Sequence, residues 1–298
     1  MSPPTPISLE RLGETPLPGL GGAVDKDRRG RVLVVGGGQL APGAVALAGV
    51  AALRAGAGKL QLAATNLDAP VLAYAVPEAG LVRVASRERG GFKRSALPRL
   101  AEAAHRTDAL VIGPGMSNPR RDGRLATELV RHLPDTAGAV VDAAALTGLD
   151  LSGLGLRAAR GRLILTPHAG EMAAITGRDR EAIEADPLGA ARTLAARAEA
   201  VVVMKGGDTF VVTPDGRAWR HEDGVLGLAT SGSGDVLAGL IGGFLARGAS
   251  PVVAALWGVC VHGGAGALLA RTVGPVGFLA RELLDAAPRV LAEASPSP

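Results

Sequence analysis

Residues 230–239 of the chain read TSGSGDVLAG, and they predict a sharp turn that leads into a helix. The small residues before Asp235 allow the backbone to turn tightly and leave amide groups exposed. We expect the helix to begin near Asp235 and to end near Arg247. Free amides at a helix N-terminus, together with the helix dipole, bind anions such as phosphate. The stretch therefore predicts an anion-binding site with an acid beside it.

Asp235 itself has two interpretations. An acid at the start of a helix is most often a capping residue. A carboxylate beside a bound phosphate can instead act as a general base, which takes the proton from a hydroxyl group as its oxygen attacks phosphorus. A cap alone does not need the small residues before it or those at positions 238 and 239. We therefore favour the base.

The rest of the chain alternates between short apolar runs and longer stretches rich in Ala, Leu and Arg. Runs that are apolar at consecutive positions predict strands buried on both faces of a parallel sheet. Helices between such strands cover the sheet and connect parallel neighbours. The predicted strands span residues 32–35, 59–63, 109–112, 139–141, 163–165, 201–204 and 209–212.

Further features complete the predicted architecture. The last two strands flank a glycine pair, and residues 213–216 have a turn pattern, so we expect a local hairpin there. A second long helix is expected from Pro251. We interpret residues 1–29 as an irregular arm and residues 30–294 as one α/β domain, a three-layer α/β/α sandwich with a mostly parallel central sheet. In such sheets ligands bind beyond the carboxyl ends of the strands.

Composition restricts the classes of function. Hydrophobic residues make up 47% and charged residues 20% of the 298 residues, which is typical of a globular protein. The net charge is +4, but the basic residues are scattered and only 2% of residues are aromatic, so no nucleic-acid surface is expected. The single cysteine, Cys260, excludes an internal disulfide and multi-cysteine metal sites, and its apolar neighbours predict that it is buried.

An uncharged stretch at residues 248–270 is long enough to cross a membrane. It contains Pro251, His262 and several glycines and has no aromatic belt, which favours a buried helix. The N-terminal residues contain charges and prolines but not the apolar run of a secretory signal. We therefore expect a cytoplasmic protein that does not enter a membrane.

The sequence TPHAGE at residues 166–171 follows a predicted strand. Pro167 ends the strand, so His168 is expected at the strand's end, facing the ligand cleft. His168 is either a turn residue bonded to backbone or a hydrogen-bond donor to substrate. Glu171 is either the acid of a capping box or a ligand of Mg²⁺, directly or through water.

The sequence KGGDT at residues 205–209 follows another predicted strand. Lys205 is either a plain surface charge or a phosphate ligand. Lysine occurs only four times in the chain, which favours the phosphate ligand. Glycine-rich turns also follow two other predicted strands, at residues 36–38 and 113–115.

Taken together, these motifs carry a family resemblance. The TSGSGD segment resembles the Gly-x-Gly-Asp motif of ribokinase-like kinases, in which the Asp is the catalytic base. TPHAGE is typical of the NAD(P)H-hydrate dehydratases of that superfamily, whereas its vitamin kinases carry Asn in place of His168. The resemblance extends from about Leu17 to Val290. Ser231 and Ser233 stand where the family usually has Gly and Thr, and both changes keep the site small and polar.

One departure from the family removes an acid. The family often has Asp-Ala-Asp-Ala where this chain has DAAA at residues 142–145. The second acid is replaced by Ala144, which leaves Asp142 alone.

The resemblance implies an enzyme that returns (S)-hydrated NADH and NADPH to NADH and NADPH, using ADP or ATP, with ADP expected, and Mg²⁺. Phosphorylation of the ring hydroxyl would create a good leaving group, which the ring nitrogen's lone pair would then expel. The implied partners are these small molecules, and the implied assembly is a homo-oligomer, by resemblance a tetramer. Asp235 is the implied base and a substrate contact. The other implied contacts are Ala44, Gly115 and His168 for the hydrated dinucleotide, Lys205, Gly206, Gly207, Asp208, Thr209, Gly232, Ser233 and Gly234 for the nucleotide, and Glu171 for the metal.

Three alternatives share some of these features. A vitamin or sugar kinase would have the same fold and glycine-rich motif but would release a stable phosphorylated product. A Rossmann-type nicotinamide oxidoreductase would fit the loose match of Gly36, Gly38 and Ala41, but the acid expected after the next strand is poorly placed. A non-catalytic nucleotide sensor would bind without turnover, which the presence of Asp235 disfavours.

Overall fold

Parallel strands form the centre of the fold. The computed structural model of the chain describes residues 2–18, 25–38, 41–87, 91–151, 159–222 and 224–294. The described strands are β1 Thr5–Pro6, β2 Arg31–Val35, β3 Lys59–Thr65, β4 Gly80–Val84, β5 Ala109–Ile112, β6 Gly138–Val141, β7 Leu163–Leu165, β8 Val201–Met204, β9 Asp208–Val212 and β10 Ala218–Glu222. They form one sheet in the order β1-β10-β9-β8-β7-β6-β5-β2-β3-β4.

The sheet is mostly parallel, as predicted. All neighbours from β8 through β7, β6, β5, β2 and β3 to β4 pair in parallel. Strand β9 is antiparallel to both β8 and β10, which confirms the local hairpin. The seven predicted strands are all present. Strands β1, β4 and β10 were not predicted, because β1 has two residues and the other two carry polar or charged side chains within them.

Helices cover both faces of this sheet. The described helices are α1 Gly43–Arg54, α2 Ala69–Ala75, α3 Leu97–His105, α4 Pro119–Arg131, α5 Ala143–Thr147, α6 Ala169–Thr176, α7 Arg180–Ala185, α8 Pro187–Ala198, α9 Ser233–Ala246, α10 Pro251–Thr272 and α11 Ala280–Ala294. The two helices that we predicted near Asp235 and from Pro251 are therefore present as α9 and α10.

Two hydrophobic cores lie on opposite faces of the sheet, because successive side chains of a strand point to opposite faces. Val32 and Val34 pack on one face with helices α1, α2, α9, α10 and α11. Leu33 and Val35 pack on the other face with helices α3 to α8. This arrangement is the predicted α/β/α sandwich.

The N-terminal segment, for which an irregular arm was predicted, carries two short elements in its described part. Strand β1 pairs in parallel with β10, and a 3-10 helix spans Glu10–Glu14. Leu12 is only 1% exposed, and Trp257 of α10 donates a hydrogen bond to the carbonyl of Thr15. Buried apolar side chains and backbone pairing thus attach this segment to the domain.

Helix α10 is a core helix. Among the described residues it is the one helix long and apolar enough to cross a membrane, and 72% of its most apolar window is buried in the protein. Cys260, which lies on it, is fully buried, as predicted.

Helix α9 lies directly on the sheet and against α1. A Cβ atom at Gly242 would lie 2.2 Å from Val111 Cγ2 of β5, and one at Gly239 would lie 2.2 Å from the carbonyl oxygen of Ala48 in α1. Only glycine permits such close approach. This packing places the N-terminus of α9 at the carboxyl edge of the sheet.

Candidate active site

The predicted motifs share one edge of the sheet. Strands β2, β5, β6, β7 and β8 are parallel neighbours, so the segments that follow them emerge at the same edge. The N-terminus of α9 reaches this edge as well, because a Cβ atom at Gly234 would lie 3.5 Å from Lys205 Nζ. The glycine-rich motif and the KGGDT segment, about thirty residues apart, are therefore in contact.

The first turn of α9 presents unbonded amides. Its N-cap is Gly232, with a φ of 90° in the left-handed region and no side-chain cap. The Ser233 amide bonds to the carbonyl of Thr230, at 3.3 Å. Within the described residues the amides of Gly234 and Asp235 have no hydrogen-bond acceptor. Amides of this kind at a helix N-terminus form an anion site.

Asp235 lies in this first turn, half-buried, and its carboxylate receives no hydrogen bond from any described residue. The capping interpretation therefore does not describe its side chain. Burial and the charges of Asp142 and Glu171 raise the pKa of Asp235, Lys205 lowers it, and together they bring it to about 7. A carboxylate with such a pKa can accept a proton near neutral pH.

Lys205 is the positive centre of the site. Its ammonium nitrogen lies 2.8 Å from Asp142 Oδ1 and 3.6 Å from Glu171 Oε2. Asp142, only 3% exposed, also accepts a hydrogen bond from Thr166 Oγ1 at 2.7 Å. Burial lowers the pKa of Lys205, but the two acids raise it more, and the pKa stays above its ordinary value. Lys205 is thus a charged, paired residue of the cleft and not a plain surface charge.

His168 and Glu171 form a capping box at the start of α6. His168 Nδ1 accepts hydrogen bonds from the amides of Gly170, at 3.0 Å, and Glu171, at 3.2 Å. Glu171 Oε2 in turn accepts from the His168 amide at 2.9 Å. His168 is therefore bonded to backbone, and Glu171 is the acid of a capping box, as one of the two interpretations of each residue predicted. Because Nδ1 accepts, the neutral ring carries its proton on Nε2, and the side chain is 58% exposed. His168 thus caps the helix, and its Nε2, 3.6 Å from Glu171 Oε1, can donate to a ligand.

Ala44 and Gly115 lie next to each other. A Cβ atom at Gly115 would lie 3.0 Å from the Cβ of Ala44, and the Gly37 amide bonds to the Pro114 carbonyl at 2.7 Å. Leu47, one turn along α1, lies against Gly232, where a Cβ atom would be 2.7 Å from its Cδ1. Helix α1 therefore contacts both the predicted dinucleotide contacts and the N-terminus of α9.

The side chains of two predicted nucleotide contacts have protein partners. Asp208 forms an ion pair with Arg220 at 2.8 Å, and Ser233 Oγ lies 2.9 Å from His262 Nε2. Thr209 is buried, whereas the two glycines between Lys205 and Asp208 are exposed. The exposed backbone of this loop is free to approach a ligand.

A magnesium ion at this site would depend on the phosphate oxygens of a bound nucleotide. Within the part of the chain that the structure describes, no group of three or more His, Cys, Asp or Glu side chains is arranged to hold a metal. Glu171 is already engaged by the His168 amide and faces Lys205. The residues present fit Mg²⁺ only in the manner usual for this ion, with one or two carboxylates, water and phosphate oxygens.

Three residues of the site were not predicted as site residues: Asp142, Thr166 and His262. Asp142 follows β6 as Lys205 follows β8, so an acid and a lysine at the ends of two predicted parallel strands were a usable signal. Thr166 lay within a quoted motif without a role. His262 lies within the apolar helix α10, and nothing in that pattern indicates its contact with Ser233.

Comparisons with known proteins show which proteins the chain resembles. A family model described as NAD(P)H-hydrate dehydratase matches residues 32–289. An ADP-dependent (S)-NAD(P)H-hydrate dehydratase of Xanthomonas campestris is 49% identical over 96% of this chain and 95% of that protein. The chain spans about half the length of bifunctional NAD(P)H-hydrate repair enzymes such as that of Moorella thermoacetica, which is 40% identical over 88% of this chain and 49% of its own length.

Solved structures match as well. The ADP/ATP-dependent NAD(P)H-hydrate dehydratase of Bacillus subtilis, co-crystallised with ATP/Mg²⁺, has a TM-score of 0.81 at 28% identity, over 98% of this chain and 99% of that chain. A ribokinase-like superfamily protein of Enterococcus faecalis has a TM-score of 0.80 at 22% identity, over 98% and 96% of the two chains, and shares the fold. The predicted fold class and the predicted family are both confirmed. The chain belongs to the NAD(P)H-hydrate dehydratase family.

Proposed function

We propose that the edge of the sheet described above is the active site of an ADP- or ATP-dependent NAD(P)H-hydrate dehydratase, with Asp235 as its base. One observation carries the proposal: an unbonded carboxylate of raised pKa lies in the same helical turn as the unbonded amide of Gly234, beside the charged Lys205. A proton acceptor and an anion site are thus adjacent, as a hydroxyl that attacks a phosphoryl group requires.

The chemistry follows from the poor leaving ability of hydroxide. Asp235 takes the proton of the ring hydroxyl as its oxygen forms a bond to the terminal phosphorus of the nucleotide and the bond to AMP or ADP breaks. The Gly234 amide and Lys205 stabilise negative charge on the phosphoryl oxygens. The ring nitrogen's lone pair then expels phosphate, and the neighbouring ring carbon loses a proton to form the C=C double bond, which restores the reduced dinucleotide.

Ligand contacts divide between the two sides of the cleft. We assign Ala44, Gly115 and the Nε2–H of His168 to the hydrated dinucleotide. We assign the exposed backbone of residues 206–208, together with Lys205, Thr209 and residues 232–234, to the nucleotide. When bound, Mg²⁺ would neutralise phosphate charge, with Glu171 or Asp142 as its protein ligand, directly or through water.

The same proposal covers the organisation of the protein. Residues 30–294 form the catalytic domain, and the N-terminal segment is attached to it by β1 and Leu12. We further propose a cytoplasmic homo-oligomer, a tetramer as the family resemblance implies, whose partners are small molecules and not nucleic acids or membranes.

The direct test supplies hydrated NADH with Mg²⁺ and either ADP or ATP, and follows recovery of reduced-nicotinamide absorbance together with release of phosphate. We expect both signals to rise in equal amounts, faster with ADP. Transfer of phosphate to a vitamin or sugar alcohol, with no recovery of absorbance, would instead identify a kinase. Nucleotide binding without either reaction would identify a sensor.

A further inference from the structure

The first turn of α9 has no cap of its own, although the proposed chemistry needs it in one orientation. The N-cap Gly232 has no side chain, and Ser233 stands between two glycines, which have the greatest backbone freedom. The amide of Gly234 must nevertheless keep one direction to bind a phosphoryl group. The Gly232 carbonyl accepts a helical hydrogen bond from the Val236 amide, and a contact from outside the helix would hold this turn more firmly.

His262 of α10 makes such a contact. The residue is 8% exposed, and its Nε2 lies 2.9 Å from Ser233 Oγ and 3.1 Å from the Ser233 carbonyl oxygen. A carbonyl oxygen only accepts hydrogen bonds, so Nε2 carries the proton and shares it between the two oxygens. One ring thus holds both the side chain and the main chain of Ser233.

The main-chain contact has a consequence for the neighbouring amide. The Ser233 carbonyl and the Gly234 N–H belong to one planar peptide group, in which they point in opposite directions. A hydrogen bond that fixes the carbonyl oxygen therefore also fixes the direction of the Gly234 N–H. We propose that His262 is a positioning residue, which aims the Gly234 amide at the transferred phosphoryl group through the Ser233–Gly234 peptide. This inference rests on the proposed function of the site.

The contact from His262 should act mainly on the chemical step of the reaction. Negative charge on the phosphoryl oxygens is what the amide stabilises, and a donor aimed in advance costs no reorganisation during the reaction. A turn that loses this contact still binds nucleotide, because Lys205 and the other amides of the loop are unchanged. We therefore expect kcat to fall while the KM values for nucleotide and hydrated dinucleotide change little.

The test compares His262→Leu, which removes the donor, with His262→Gln, whose side-chain amide can donate from about the same distance. His262→Leu should lower kcat about 10- to 100-fold, part of the loss seen when a donor is removed entirely, with KM values within about threefold. His262→Gln should recover most of kcat. The matched control is His105→Leu, an exposed histidine of α3, which should keep wild-type kinetics.

Two outcomes would overturn the role of His262. One is a folded His262→Leu enzyme with wild-type kcat, and the other is an equal loss of kcat in the leucine and glutamine variants. If the leucine variant does not fold, His262→Asn takes its place. The asparagine side chain is one methylene shorter than that of glutamine and does not reach Ser233. Equal kcat in the Asn and Gln variants would then reject the role.

A second readout does not depend on the reaction. In the ¹⁵N-labelled protein, the amide signal of Gly234 should shift in His262→Leu and return toward its wild-type position in His262→Gln. An unchanged signal in His262→Leu would reject the positioning role even if the wild type dehydrates hydrated NADH. A wild type without dehydratase activity but with the expected signals would reject the proposed function and keep the contact.

Discussion

At the scale of single residues, the site is governed by charges that lie close together in a half-buried cleft. Asp142, Glu171 and Asp235 surround Lys205, so three acids share one positive charge. Burial, together with the surplus of negative charge, keeps the pKa of Asp235 far above the ordinary value for an aspartate. The surroundings therefore disfavour the charged form of Asp235, which is the group that has to accept the proton.

The pH dependence of turnover follows from this pKa. Asp235 acts in its deprotonated form, so kcat/KM of the free enzyme should fall about tenfold per pH unit below about 7. Asp142→Asn removes a charge that raises this pKa, and the break should move to lower pH. Initial rates measured across the pH range with limiting hydrated NADH check this shift. Asp179→Asn, at an exposed acid, should leave the break in place, and an unshifted break in Asp142→Asn would contradict the account.

The Lys205–Asp142 pair also bears on stability. Lys205→Met leaves Asp142, only 3% exposed, without its cation, and should lower the free energy of unfolding by about 3 kcal/mol. Adding Asp142→Asn removes the unpaired charge and should restore most of that loss. Urea unfolding measures both effects, with Lys93→Met, at an exposed lysine, as the control. A double variant no more stable than Lys205→Met would show that the charge is not the cause.

At the scale of elements, the strands with continuous apolar runs were predictable, because burial on both faces leaves a plain pattern. Strand β10 was not, since its sequence AWRHE is polar, and neither was the two-residue β1. The motifs that follow parallel strands lie at one edge of the sheet, and the N-terminus of α9 reaches the same edge. The partners of each side chain were not predictable, because Lys205 and Asp142 are 63 positions apart and their pairing depends on the sheet order.

The start of α6 allows capping and substrate binding by His168 to be separated. His168→Asn keeps a side-chain acceptor for the cap, whereas His168→Ala removes it and should cost about 1 kcal/mol of stability. Both variants lose the Nε2–H donor, so both should raise the KM for hydrated dinucleotide and leave the KM for nucleotide unchanged. Thermal unfolding and steady-state kinetics report the two effects. A larger change in the nucleotide KM would mean that His168 contacts the nucleotide and not the hydrated dinucleotide.

At the scale of the whole molecule, the position of the site depends on how closely α9 lies on the sheet. Gly242 faces Val111 of β5 with no room for a side chain, and the amide end of α9 reaches the carboxyl edge as a result. One hydrophobic core lies on each face of the sheet, and α9 packs with α10 and α11 in one of them. The chemistry at one edge therefore rests on packing throughout the domain.

Gly242→Ala tests this close packing. A Cβ atom there would lie 2.2 Å from Val111 Cγ2, so helix and sheet must move apart, and we expect a loss of about 1–3 kcal/mol in the free energy of unfolding despite alanine's better helix propensity. Gly13→Ala, where a Cβ atom would meet nothing within 4 Å, should change the stability by less than about 0.5 kcal/mol. Equal stability of the two variants in urea would contradict the described contact.

The central claim, that Asp235 is the base of a dehydratase, is tested most directly by Asp235→Asn. Recovery of reduced-nicotinamide absorbance from hydrated NADH, with ADP and Mg²⁺, is measured for this variant and the wild type, beside nucleotide binding by calorimetry. We predict that binding is retained while turnover falls about 100- to 10,000-fold. A folded Asp235→Asn enzyme that turns over at the wild-type rate would contradict the account.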